Sequence, residues 1–312
     1  MTKNLIIGFA SNYEWKDLQY WVNSIRKTNF SGDIVIVSDN INKKTIEALT
    51  ANKVELAIFG HKNENGDYES PQSIAPHVNR FFYLWHTLNN TKNNYRFVIT
   101  TDTRDVVFQS NPSDWLENNL VMHSLVASSE GLKYKDEPWG NKNILESFGP
   151  FYHNILKDEL IYNVGVIAGD FEYVKGLLSL IFQLSINRPI PIVDQAVYNF
   201  ILHTEPFKND TNFTSNINNW AIQLGTALQA VQAGSGDLGQ SFISSEEGRK
   251  SYLDAYQDHP VIIENGIVKG LDNTPYVIVH QYDRVPELAS EVRKLYGDND
   301  ATESRTIFYH PV

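Results

Sequence analysis

The 312-residue chain has no cysteine, which rules out disulfides, thiolate nucleophiles and sulfur-built zinc sites. No apolar run approaches the ~20 residues that a membrane-spanning helix needs. The opening MTKNLIIGFA is too short in apolar residues for a secretory signal. A cytoplasmic protein is therefore expected, and in that setting the sequons at Asn89, Asn209 and Asn212 carry no glycan. There is no linker rich in Gly, Ser or Pro, so the expectation is one domain spanning 1–312. Basic residues are few and scattered: 26 Lys and Arg against 37 Asp and Glu leave a formal charge of -11, which speaks against a nucleic-acid partner. An acidic protein that takes an anionic ligand needs a metal ion or a few placed cations to hold it.

What is present is an alternation of strand and helix. Residues 4–10, 33–38 and 54–59 are apolar strand-like runs, separated by a helix on Trp15, Leu18, Val22 and Ile25 and a shorter one over 42–51. That order opens a parallel, Rossmann-like sheet. A polar loop over 61–76 leads to a helix at 78–88 with Arg80 near its start, and strand four begins at Tyr95. Pro112 starts a short helix, and 121–127 reads as a strand ending in Ser128, Ser129 and Glu130. The stretch 132–153 reads as irregular helix and loop. Ile161 to Ala168 forms a strand with Gly165 where a side chain could obstruct a ligand. Asp170 is expected to cap a helix over 171–184, and Asp194 and Gln195 stand before another. Helices are expected near 217–231 and 245–257, strands at 261–264, 267–269 and 276–280, and a closing helix at 288–296.

The stretch that organises the rest is YRFVITTDTRDVVFQSNP, Tyr95 to Pro112, in which a buried strand delivers Asp102 and Asp105 to its carboxyl end. Two carboxylates so close repel each other unless something positive lies between them. Together with His280 at the end of a late strand, they suggest a split site for Mn2+ or Mg2+, cations suited to oxygen ligands with one nitrogen. The plainer readings are that the aspartates shape a turn beside Arg104 and that His280 is a packed side chain at a strand end.

Four motifs in order resemble nucleotide-sugar glycosyltransferases of the GT-A type, more narrowly the family 8 group of glycogenin and galactosyltransferases. They are Asp102-Thr-Arg-Asp105 in place of the DxD motif, Tyr162-Asn163-Val164-Gly165 in place of Asn-Ser-Gly, Asp194-Gln195 in place of Asp-Gln, and His280 in place of the carboxy-terminal metal ligand. Two departures stand out. Two residues rather than one separate the aspartates, and Tyr282, Asp283 and Arg284 replace the Lys-Pro-Trp element. The resemblance implies a mostly parallel central sheet flanked by helices with a small carboxy-terminal antiparallel portion. It implies a nucleotide-sugar-binding half, 1–112, and an acceptor-binding half, 113–312, that carries the late metal ligand.

The donor implied is a UDP-sugar and the acceptor a carbohydrate or glycan. Ala10 and Ser11 would border base and ribose, Asp39 would accept from the uracil, Arg80 and Arg284 would meet the diphosphate, and Asn163 and Gly165 would hold the sugar. For a reaction that inverts the anomeric centre, Asp194, then Glu130, are the candidate bases for the acceptor hydroxyl. Trp139, Tyr134 and Phe151 could stack on an acceptor. Asp39 and Asp194 could instead be helix caps, and Arg80 one half of a surface ion pair. A sugar-1-phosphate nucleotidyltransferase is excluded by Gly8-Phe-Ala-Ser-Asn-Tyr13, where its Gly-x-Gly-Thr-Arg loop would stand. The spacing of the aspartates argues against a dehalogenase-like phosphatase. From another class, a catalytically inactive sugar- or nucleotide-binding protein could keep the same fold.

Overall fold

The computed structural model describes residues 2–71, 74–188, 190, 192–227, 250 and 261–298. Its first part alternates strand and helix: β1 (Lys3–Phe9), α1 (Trp15–Lys27), β2 (Asp33–Ser38), α2 (Lys43–Ala51) and β3 (Glu55–Ile58). A small hairpin, β4 (His61–Lys62) and β5 (Tyr68–Glu69), interrupts before α3 (Pro76–Asn90), β6 (Tyr95–Thr101), β7 (Val106–Phe108) and α4 (Pro112–Asn119). Then come β8 (Leu125–Lys133), α5 (Pro138–Leu156), β9 (Leu160–Asp170), α6 (Phe171–Ser185) and α7 (Asp194–Leu202). α8 (Phe207–Asp210) leads into β10 (Thr211–Thr214), followed by β11 (Ala221–Gln223) and α9 (Leu224–Ala227). The hairpin β12 (Ile262–Glu264) and β13 (Ile267–Lys269), the strand β14 (Ile278–His280) and a closing helix, Pro286–Tyr296, complete it.

Seven strands form the central sheet in the order β10-β8-β9-β6-β1-β2-β3. Its neighbours are parallel except β9, which runs antiparallel to both β6 and β8. The reversed strand brings its early residues, from Tyr162 to Gly165, to the edge where β6 and β8 end. Both faces of the sheet are covered, so its inner strands are continuously apolar. Leu5, Ile7, Val35 and Val37 pack with α3, α6 and α7 on one face. Ile6, Ile34, Ile36 and Ile99 pack with Leu18, Trp21, Val22 and Ile25 of α1 on the other. A second sheet, β11-β14-β7, sits at the edge of the first, its Val107, Ile222 and Val279 covered by Leu288 and Val292 of the closing helix. The mostly parallel α/β architecture with a small carboxy-terminal sheet is the one expected.

Four local expectations change. The strand expected at 121–127 starts at Leu125, because Val121 and Met122 stand out in solvent, and it continues through Glu130 to Lys133. The stretch expected to be irregular carries α5, kinked where Gly149 takes a φ of 75° before Pro150. Residues 217–227 form a short 3-10 turn, β11 and α9 rather than one helix, with 228–231 outside the described residues. The helix expected at 245–257 lies outside them as well, except for Lys250. Asp170 occupies the cap position of α6 but makes no capping hydrogen bond through its side chain.

Candidate active site

Between β6 and β7 the chain passes from the large sheet to the small one through Asp102, Thr103, Arg104 and Asp105. This turn is tied down on three sides. Thr103 Oγ1 donates to Phe9 O at 3.1 Å, the Asp102 N–H donates to Gly165 O at 2.9 Å, and the Gln281 N–H donates to Asp105 O at 2.7 Å. β14 pairs with β7 so that His280 lies opposite Val106, next to Asp105. His280 Nε2 is 3.5 Å from Asp102 Oδ2 and 3.8 Å from Asp105 Oδ1. One ligand atom from each of the three residues falls within 4.8 Å of the others. Both aspartates thus face one imidazole despite the two-residue gap.

Gly165 keeps the space between them open. A Cβ there would lie 2.4 Å from His280 Cε1 and 2.9 Å from Asp102 Oδ2 and from Asn163 Oδ1. The ring cannot easily withdraw, because it is 2 % exposed and its Nδ1 lies 2.6 Å from Gln223 Oε1. The donor set, two carboxylates and one imidazole around a space that a methyl would fill, fits Mn2+ or Mg2+. Separations of 3.5 and 3.8 Å are within what two ligands of one ion, each at about 2.1 Å, can span.

Arg80, from α3, bridges two acids. It donates to Asp102 Oδ1, and its Nη2 donates to Asp194 Oδ2 at 2.9 Å. Val193, not Asp194, is the cap residue of α7, and Asp194 is buried in the first turn. The helix-cap reading of Asp194 and the surface-pair reading of Arg80 therefore both give way to a partly buried bridge, buried at its Asp194 end. Burial works against the Arg80 charge, but Asp102 and Asp194 outweigh it and hold the guanidinium above its ordinary value. Burial would likewise raise Asp102, yet Arg80 and His280 keep that carboxyl well below the usual range. At Asp105 burial wins and its carboxyl is raised. Burial disfavours a charged His280, but Asp105 and Asp102 together raise it.

Glu130, near the end of β8, closes the group. It accepts from Asn163 Nδ2 at 2.7 Å and from Gln195 Nε2 at 3.1 Å, while Asn163 Oδ1 accepts from the Gly165 N–H at 2.7 Å. Burial pushes its carboxyl up to about 7. Asp102, Asp105, His280, Gly165, Asn163, Glu130, Arg80 and Asp194 are therefore one connected cluster.

The remaining candidates lie beside it. Ala10 follows β1 and donates its N–H to Val37 O at 2.9 Å, and Ser11 Oγ accepts from Asn40 Nδ2 at 3.4 Å. Asp39 is 2 % exposed at the end of β2, and its Oδ1 has no hydrogen-bond partner among the described residues. The cap of α2 is Asn42, whose side chain accepts from the Thr45 N–H, so Asp39 is not spent as a cap. Arg284 Nε lies 3.8 Å from Asp283 Oδ1, and Asp283 Oδ2 accepts from Arg104 Nη2 at 3.2 Å. Tyr134 is buried in the main core and cannot stack on an acceptor, and Phe151 stands on the outer side of α5 in solvent. Sequence reasoning missed Gln223. The apolar pair Ala221 and Ile222 before it was its only strand signal.

Solved structures that resemble this fold include glycosyltransferases. The galactosyltransferase LgtC, in complex with donor and acceptor sugar analogues, superposes with a TM-score of 0.53 at 12% identity, covering 96% of this chain and 97% of LgtC. An active-site Gln→Glu mutant of LgtC gives 0.50 at 12% identity over 92% of this chain and 95% of its own. The bifunctional glycosyltransferase WbbM gives 0.51 at 13% identity, with 89% of this chain spanning 45% of WbbM. No family model matches the sequence, and a search of curated proteins finds no match either. The chain has the GT-A glycosyltransferase fold.

Proposed function

We propose that this protein is a metal-dependent glycosyltransferase that moves a sugar from a nucleotide-diphosphate donor, a UDP-sugar, to a hydroxyl of a carbohydrate acceptor. The observation that carries the reading is the cluster of Asp102, Asp105 and His280 around the space that Gly165 leaves, at the strand ends of a GT-A sheet. Those three residues would hold Mn2+ or Mg2+. When bound, such an ion neutralises negative charge on a departing diphosphate, a contribution of several kcal/mol.

The chain's own groups divide the remaining work. Asp39, buried and with a carboxylate oxygen to spare, accepts from a base N–H, beside Ala10 and Ser11. Arg80 holds Asp102 and Asp194 in one geometry. Of the two candidate bases we assign Glu130 to the acceptor hydroxyl. Its carboxyl, held near neutrality by burial, can take up or release a proton at working pH, whereas Asp194 is committed to Arg80. Asn163 holds Glu130 and Gly165 together next to the sugar position. Arg104 and Arg284, flanking Asp283, supply positive charge near the diphosphate.

Thermal-shift measurements with UDP and a set of UDP-sugars, with and without Mn2+, test the reading, because a ligand that binds only the folded state raises its melting temperature. The expected result is stabilisation that needs the cation and disappears in Asp105→Ala. Metal-independent stabilisation that survives this substitution would refute the site. Cation-dependent UDP binding without release of UDP from any donor, with or without acceptors, would instead mark an inactive binding protein.

A further inference from the structure

His280 is the one nitrogen ligand in the cluster, and an imidazole can ligate through only one nitrogen at a time. The small sheet decides which. β11 runs parallel to β14 with Gln223 paired to His280, so the two side chains lie on the same face. Gln223 Oε1 is 2.6 Å from His280 Nδ1, and Gln223 Nε2 donates to Ser128 Oγ at 2.8 Å. All three residues are buried. We propose that Gln223 is a positioning residue: its amide oxygen keeps the proton on His280 Nδ1, anchored from behind by Ser128, and so presents a bare Nε2 to the cation between Asp102 and Asp105. This rests on the metal-site reading above and deepens it.

The chemistry allows few alternatives. Nε2 lies on the carboxylate side of the ring, 3.5 Å from Asp102 Oδ2 and 3.8 Å from Asp105 Oδ1, while Nδ1 lies on the Gln223 side. To hold a cation through Nε2, the neutral ring would carry its single proton on Nδ1. A buried Nδ1–H needs an acceptor, and among the described residues Gln223 Oε1 lies in reach at 2.6 Å. The opposite orientation of the amide would point an N–H at Nδ1 and force the ring proton onto Nε2, the nitrogen the cation needs. Ser128 stands two residues before Glu130 on β8, so the same amide joins the imidazole to the strand that carries the proposed base. Partners of this kind, one step behind a metal ligand, typically change metal affinity 10- to 100-fold when removed.

Calorimetric titration with Mn2+ on wild type, Gln223→Leu and Gln223→Glu tests the assignment. Gln223→Leu should lose about 10- to 100-fold in affinity. Gln223→Glu, whose carboxylate accepts the same proton, should bind at least as tightly as wild type. A Gln223→Leu protein that binds like wild type, or a Gln223→Glu protein as weak as Gln223→Leu, overturns the proposal. Histidine-labelled wild type with Mg2+, observed by two-bond 1H–15N NMR, gives a readout that needs no variant to fold. Protonated Nδ1 on His280 is expected, and protonated Nε2 overturns it. If wild type and Asp105→Ala alike fail to bind Mn2+, the metal-site reading falls and this one with it. Mn2+ binding by wild type that is undiminished in Gln223→Leu removes only the role of Gln223.

Discussion

The sharpest test of the cluster is a single methyl group, introduced by Gly165→Ala. Its Cβ would start 2.4 Å from His280 Cε1, where ordinary contact begins at 3.4 Å, so the ring or β9 must move by roughly 1 Å. Neither moves freely: the ring is held by Gln223, and Gly165 is bonded through its N–H to Asn163 and through its carbonyl to Asp102. Forcing a methyl into such a place costs typically 1–3 kcal/mol, which for a chain of this size lowers the melting temperature by roughly 2–6 °C. The same methyl sits 2.9 Å from Asp102 Oδ2, inside the space a cation would use. Mn2+ affinity should therefore fall at least about tenfold, equivalent to about 1.4 kcal/mol. Scanning fluorimetry with a Mn2+ titration followed by electron paramagnetic resonance reads both quantities. Gly176→Ala on α6 is the matched control, since a Cβ there meets nothing within 4 Å and should leave both unchanged or raise stability slightly. A Gly165→Ala protein with wild-type melting temperature and wild-type Mn2+ affinity would refute the reasoning.

Three more outcomes follow from the same geometry. Arg80→Met strands the buried Asp194 carboxylate and should cost about 3–5 kcal/mol in urea unfolding, largely recovered in the double variant with Asp194→Asn; a loss below 1 kcal/mol would show the bridge to be idle. Glu130, raised from 4.5 to about 7, binds its proton more tightly in the folded state, so its contribution to stability is present below pH 4.5 and is lost as pH rises through 7. Over that window wild type should lose up to about 3 kcal/mol relative to Glu130→Gln, and parallel melting curves of the two proteins against pH would contradict it. Asp39→Ala removes a buried carboxylate with an unpartnered oxygen, so folding stability should hold or rise while UDP affinity falls about 10- to 100-fold; calorimetry showing unchanged UDP affinity would take Asp39 out of the base site.

The parallel half was legible in the sequence because its strands are buried on both faces and its helices carry one apolar stripe, so periodicity alone separates them. The triad was legible as residue types at strand ends, with the motif order as a guide. What bridges those residues was not. Arg80 meets Asp194 across 114 positions and Gln223 meets His280 across 57, and nothing local marks either pairing. β11 offers only Ala221 and Ile222 as a strand signal before Gln223, too little to distinguish it from the helix that the sequence predicts over 217–231. The segment after Leu132 looked irregular because its glycines and aromatics are those of a bent helix, α5, rather than of a loop.

The crossing of the chain from one sheet to the other has a dynamic consequence. Segments with short pairings and few neighbours open at a lower free energy than the whole fold does. β14 is held by β7 on one side and β11 on the other, each over three residues, a shorter pairing than β1 makes with β2 and β6. Loss of that pairing would carry the imidazole of His280 away from Asp102 and Asp105, which lie between β6 and β7. On the proposed metal-site reading, chelation should speed amide exchange at Val279 and His280 and leave the protection of Ile6 and Ile36 untouched, because an ion held by His280 would tie the short β14 to the turn after β6.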